Sequence, residues 1–183
     1  MKGVVFTEFL EMVGARFSEA MVETLIAGSE LPSGGAYTSI GTYEHQELVT
    51  LVVGLSERTQ LPVPALIHAF GRHLLQRFVV AFPHFFSSAS DAFTFLDRVE
   101  GYVHIEVRKL YPDAELPSFE CTRPDPDTML MLYRSRRGLA DLASGLIEAC
   151  AEHYGEQIAI EVEDRSGGAR TEVCFHLRRT RAA

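Results

Sequence analysis

The sequence has little of three things: cysteine, positive charge and long apolar runs. Three Cys in 183 residues, an odd number without framework spacing, exclude a disulfide-stapled secreted scaffold and fit reduced thiols in a cytoplasm. Lys and Arg total 17 against 25 Asp and Glu, a net charge of −8, so the broad basic face of a nucleic-acid binder is missing. No apolar stretch approaches the roughly 18 residues of a membrane span. The N-terminus, MKGVVFTEFLEMV, sets acidic residues inside its apolar pattern, which excludes a signal peptide. Repeats, low-complexity tracts and linkers are also missing. So are the nucleophile–base sets, phosphate loops and carboxylate pairs that would mark an enzyme.

What is present is an ordinary apolar fraction, 46%, in a chain long enough for one domain with a core. Apolar spacings of three and four predict helices over 2–14 and 17–28. The Gly- and Ser-rich stretch 28–41 must be loop. A helix over 43–55 comes next, then a long one that starts at Pro62 and Pro64 and runs to about Phe82, where Pro83 breaks it. Residues 84–90 read as a connection. A helix starting at Ser90 or Asp91 then continues to Tyr111-Pro112. From Glu115 the period changes to two. Strands are expected over 119–123 and 129–135, a helix over 138–154, and a hairpin of 158–163 with 170–178 around Ser166-Gly167-Gly168. The fold class is α+β: a helical N-terminal lobe, about 1–60, and a C-terminal lobe, 61–183, with about four antiparallel strands and helices. No linker separates the lobes, so they form one domain.

The chemistry gathers around the helix that begins at Asp91. Leu96, Val99, Val103, Val107 and Leu110 form an apolar stripe, and Asp97, Gly101, His104 and Arg108 form a row beside it. A Gly in mid-helix costs about 1 kcal/mol relative to Ala, so Gly101, one turn before His104, calls for a packing or functional reason. A flat ligand against this turn would be one. Taken alone, His104 reads as a hydrogen-bonded core histidine. Farther on, Tyr133, Ser135 and Arg137 stand at i, i+2 and i+4, on one side of an extended chain. They offer two hydroxyls and a guanidinium fork suited to carboxylates. Alone, this trio reads as a strand end in solvent. Together, the histidine and the trio suit a ligand with one ligating centre and two carboxylates, which describes haem: iron takes an imidazole and the propionates need donors.

With those residues in view, the chain resembles the haem-nitric oxide/oxygen binding (H-NOX) family, found at the N-terminus of soluble guanylate cyclase β subunits and as stand-alone bacterial proteins. The resemblance rests on MKG at the start, FGRHL at 70–74, His104, YP at 111–112, PSFEC at 117–121 and YRSRR at 133–137. It covers essentially the whole chain. It implies haem b (iron protoporphyrin IX) held between the lobes, with His104 as iron ligand, Tyr133, Ser135 and Arg137 on the propionates, Pro117 and Gly101 against the porphyrin, and Val5, Phe9, Leu74 and Leu142 lining the distal side. Members that hold O2 carry a Tyr on the helix after YxSxR, where this chain has Leu142. The resemblance therefore implies a ferrous nitric oxide sensor that also takes CO, not an oxygen carrier. NO would strain the His104–iron bond, and the shift would pass to a separate protein such as a histidine kinase or a cyclic-di-GMP enzyme. The alternatives are an oxygen-binding or redox haem protein and a zinc- or thiol-based redox sensor. For the last, Cys150 and His153 lie one helical turn apart, and Cys174 and His176 share a strand face. These four would permit a tetrahedral zinc site if the two elements meet; otherwise they are buried thiols and surface histidines. The remaining histidines, His45, His68, His73 and His84, read as surface or local hydrogen-bonding groups, with His73 turned away from the iron.

Overall fold

A computed structural model describes residues 1–180. Helices α1 (Gly3–Arg16), α2 (Glu19–Ala27) and α3 (His45–Thr59) lead into the long α4 (Val63–Ala81). Pro62 and Pro64 sit at and just inside its start, where the missing N–H groups cost nothing. The expected connection after Pro83 holds a short helix instead, α5 (Pro83–Ser87), whose Phe85 and Phe86 are buried. Proline ends one helix and serves as the first residue of the next. The remaining elements are α6 (Ala92–Arg98), a π-helical turn (Val99–Val103), α7 (His104–Leu110), β1 (Ser118–Asp125), β2 (Thr128–Arg134), α8 (Ala140–His153), β3 (Ile158–Asp164) and β4 (Glu172–Arg179). The strands form one antiparallel sheet in the order β1-β2-β4-β3. The fold is α+β. No helix among the described residues is long and apolar enough to cross a membrane.

Alternation along the strands gives the sheet two unlike faces. Met129, Met131 and Tyr133 of β2 and Val173, Phe175 and Leu177 of β4 are buried in one core cluster with Phe93 and Leu96 of α6 and Ile147 and Cys150 of α8. A second cluster gathers Phe6, Phe9 and Met12 of α1 with Leu51 and Leu55 of α3 and Leu66, Phe70 and Leu74 of α4. Helix α4 spans both, since Leu75, the next residue, belongs to the first.

Helices α4 and α8 cross at glycines. A Cβ on Gly71 would fall 2.2 Å from the Leu142 carbonyl oxygen, and one on Gly145 would fall 2.0 Å from that of His68. The chain start is tied to a loop more than a hundred residues away. Lys2 Nζ donates to Thr42 Oγ1 (2.8 Å) and pairs with Asp113 (3.3 Å), in the loop after α7.

Candidate functional site

Asp91 caps α6. Its carboxylate accepts from the Thr94 N–H (2.9 Å) and pairs with Arg179 of β4 (2.8 Å). The helix it opens is not the continuous rod that the spacing predicts. A π turn adds one residue at 99–103, and the His104 N–H donates five residues back, to the Val99 carbonyl. Each inserted residue rotates the rest of the helix by about 100°, so the predicted stripe does not persist: Leu96 is buried, Val103 and Val107 half-buried, and Leu110 exposed. His104, outside that stripe, becomes the buried residue of α7, 8% exposed. π turns of this kind are frequent at functional sites. Gly101 lies inside the turn, and a Cβ there would meet no other atom of the chain. Packing within the protein therefore does not demand glycine at this position.

The sequence reading missed Glu100. His104 Nδ1 lies 3.0 Å from Glu100 Oε2, four residues earlier. The same oxygen accepts the Phe119 N–H at 3.2 Å, and Oε1 accepts from Arg108 at 3.2 Å. The Glu-x-x-x-His spacing was the available signal, because such residues face each other on a helix. Burial lowers the His104 pKa despite the adjacent carboxylate. Burial would raise that of Glu100, but the bonds from His104, Arg108 and the Phe119 amide outweigh it and hold the carboxyl below its ordinary range. A neutral imidazole whose Nδ1–H is given to Glu100 presents Nε2 as a lone-pair donor. Among the described residues, Nε2 has no hydrogen-bond partner.

Phe119 of β1 joins His104 to the sheet, its ring 5.7 Å from the imidazole and 5.6 Å from Tyr133. Tyr133 is buried on the inner face of β2, and burial pushes its phenol up. The strand ends at Arg134, however, so Arg137 is not brought to the same side by extended-chain alternation. Ser135 still pairs, its N–H donating to the Thr171 carbonyl, and its Oγ then accepts the Arg137 N–H at 3.2 Å as the chain turns. That turn brings the Arg137 guanidinium, 16% exposed, to the Glu115 carbonyl (2.8 Å) and carboxylate (2.7 Å). Glu115 is itself 84% exposed. Pro117 is half-buried between Glu115 and Phe119.

Phe9 and Leu74 are buried in the second core cluster, and Val5 and Leu142 pack against it. No polar side chain occurs among these four. An apolar cavity of about 30 Å³ adjoins Leu142, walled also by Leu48, Val52, Ile67, Phe70 and Leu139. Space lined this way stays dry.

The four residues considered for zinc do not form one cluster. Cys150 is buried in the core cluster on the inner face of the sheet, and His153 is exposed beside Phe86 and Tyr154. Cys174 and His176 alternate with the core-facing Val173, Phe175 and Leu177, so they lie on the opposite face. There they meet Glu163 of β3, and the three potential ligand atoms fall within 4.8 Å of one another. Glu163 is already paired with Arg165 (2.7 Å) and His176 (3.2 Å). Burial pushes the Cys121 thiol up to about 12 and raises those of Cys150 and Cys174 as well. Of the other histidines, His73 pairs with Glu8 (3.3 Å), His68 with Glu148 (2.9 Å), and the His84 ring lies tilted beside Phe85.

One imidazole nitrogen without a protein partner, a guanidinium and hydroxyl group, and aromatic and aliphatic walls make a donor set that fits a haem. Residues 2–162 match the family model described as Haem-NO-binding. The structure of an H-NOX protein from K. algicida, Fe(II) unliganded, is similar at 35% identity and a TM-score of 0.94, covering 100% of this chain and 98% of that one. The H-NOX from Shewanella woodyi in the Fe(II)CO state is similar at 38% identity and a TM-score of 0.84, covering 98% and 95%. An H-NOX protein from S. oneidensis in the Fe(II)NO state shares the fold at 23% identity and a TM-score of 0.92, covering 99% and 100%. No curated protein matches.

Proposed function

The chain belongs to the haem-NO-binding (H-NOX) family, whose members are haem-binding gas-sensor domains, and from that premise we propose that it is a ferrous haem sensor selective for nitric oxide. The observation that carries the reading is His104: buried, turned by a π turn out of the solvent-facing row, with Nδ1 committed to Glu100 and Nε2 left for a metal. In this reading His104 holds the iron of haem b. Tyr133, Ser135 and Arg137 bind the propionates, and Arg137 exchanges its exposed partner Glu115 for them. Pro117 and Gly101 face the porphyrin. Bound ferrous haem supplies the iron that takes the diatomic gas.

Val5, Phe9, Leu74 and Leu142 would set the gas preference from the distal side. Bound O2 carries partial negative charge and gains from a donor, whereas NO on ferrous iron needs one far less. A hydrogen bond to such an acceptor contributes roughly 1.5–3 kcal/mol, so its loss weakens O2 by about one to two powers of ten. The similar structures in the Fe(II)CO and Fe(II)NO states support CO and NO as ligands for this fold. Cys150 and Cys174 are buried and Cys121 half-buried, and burial raises all three thiols, which disfavours a thiol-based sensor because the thiolate is the reactive form.

The output is a change in the hold of His104. His104 bound to the iron would restrain α7 and the loop carrying Asp113, and its release would free them to move against Lys2 and Thr42. A separate signalling protein, such as a histidine kinase or a cyclic-di-GMP enzyme, reads the difference, which must come from unequal ligand interaction with the two states. The test is the absorption spectrum of the reduced, hemin-loaded protein, alone and with NO and with air. Expected are a five-coordinate ferrous spectrum, an NO complex, and no stable oxy complex. A stable oxy spectrum would overturn NO selectivity.

A further inference from the structure

His104 is held by more than its own helix. Glu100 Oε2 lies between His104 Nδ1 (3.0 Å) and the Phe119 N–H (3.2 Å), so a single carboxylate oxygen fixes the imidazole against the first residues of β1. Oε1 carries the Arg108 guanidinium (3.2 Å) two turns along the same rod. The π turn contributes to this arrangement, because Glu100 is part of it and the inserted residue sets its angle to His104. Half-buried and triply bonded, the Glu100 side chain has little freedom to swing away.

We propose that Glu100 is the positioning residue of the site and sets the electron-donating strength of His104, with Arg108 opposing it. The inference rests on the reading of His104 as an iron ligand. A carboxylate accepting Nδ1–H draws the proton toward itself, gives the ring partial imidazolate character and strengthens donation from Nε2. The guanidinium on the other oxygen withdraws part of that charge. Glu100 therefore favours the ferric over the ferrous state and strengthens the iron–His104 bond that NO must overcome, while Arg108 does the reverse. The Phe119 amide shares the oxygen, so any movement of the imidazole is felt first at β1, and through the β1–β2 pairing Phe119↔Tyr133 at the propionate-binding strand.

The experiment is resonance Raman and redox titration of the hemin-reconstituted full chain. Glu100→Gln keeps the shape and removes the charge; Arg108→Ala keeps Glu100 and removes the counter-charge from the surface. Expected is an iron–histidine stretch at lower frequency and a higher reduction potential for E100Q, and opposite displacements for R108A. A purely structural role would not give opposite signs in the two variants. An unmoved stretch and potential in both variants, in protein whose wild type shows the band, would overturn the inference alone. Should E100Q fail to fold, R108A still decides the matter by moving or not moving in the predicted direction. Absence of the band from the wild type would overturn the His104 assignment, and this inference with it.

Discussion

Leu142 carries no hydrogen-bond donor, and neither do Val5, Phe9 and Leu74 of the same apolar cluster. Leu142→Tyr should raise O2 affinity of the hemin-loaded ferrous protein by about one to two powers of ten, from one added hydrogen bond. The measurement is an oxygen titration followed in the visible spectrum; no gain would count against the distal assignment. At His104, substitution by Gly should abolish the five-coordinate spectrum, and exogenous imidazole should restore it, because the ring is what the site requires. The apolar character of Leu142 and the ligating capacity of His104 were legible in the sequence, since each is fixed by residue type. Glu100 was equally present but went unread. Its meaning depends on facing His104 across one turn while Phe119 arrives from a strand, and only the first half of that is local.

Among the elements, the crossing of α4 and α8 is the most constrained. Gly71 and Gly145 let the backbones come together where a Cβ would lie 2.2 or 2.0 Å from a carbonyl oxygen. Gly145→Ala must push the helices apart and should cost about 3 kcal/mol of stability, the upper range for overpacking, read by urea denaturation. Gly71 stood inside the FGRHL stretch, but nothing in the sequence said which helix it would meet. The start of α6 makes a second element-scale case. Burial would raise the Asp91 carboxyl, but the Thr94 N–H, the Ser90 and Thr94 hydroxyls and Arg179 prevail and hold it at about 2, against an ordinary 3.8. A depressed pKa stabilises the fold above the unfolded value and is lost as pH falls from about 4 to about 2. The shift corresponds to at most about 2 kcal/mol, and to less once solvent screening of this partly exposed group is counted. Asp91→Asn should therefore show a shallower acid limb of stability over that window, followed by circular dichroism, and lower stability at neutral pH.

For the whole molecule, the proposed site draws on both core clusters: Tyr133 belongs to one, which His104 reaches through Phe119, and Phe9 and Leu74 belong to the other. A ligand touching both should stabilise the fold as a unit. Hemin at 100 times its dissociation constant should add about 2.7 kcal/mol, seen as a higher melting temperature for the wild type and a smaller rise for His104→Gly. An equal rise in both would mean that hemin binds without using the imidazole. The tie at Lys2, Thr42 and Asp113 is exposed on its acidic side, and exposed ion pairs of this kind contribute little to stability.

By itself the sequence determined the α+β class, the helices and strands to within a few residues apart from the short α5 and the break before His104, and the residue types on which a haem site depends. Each of these is set by periodicity, turn chemistry or side-chain identity over a short stretch. The π turn before His104, the Glu100 carboxylate shared with Phe119, the turn that delivers Arg137, and the separation of Cys150 from Cys174 onto opposite faces of the sheet were decided only in three dimensions. Each depends on which distant backbone or side chain packs against a segment, and residues far apart in a chain do not announce their partners.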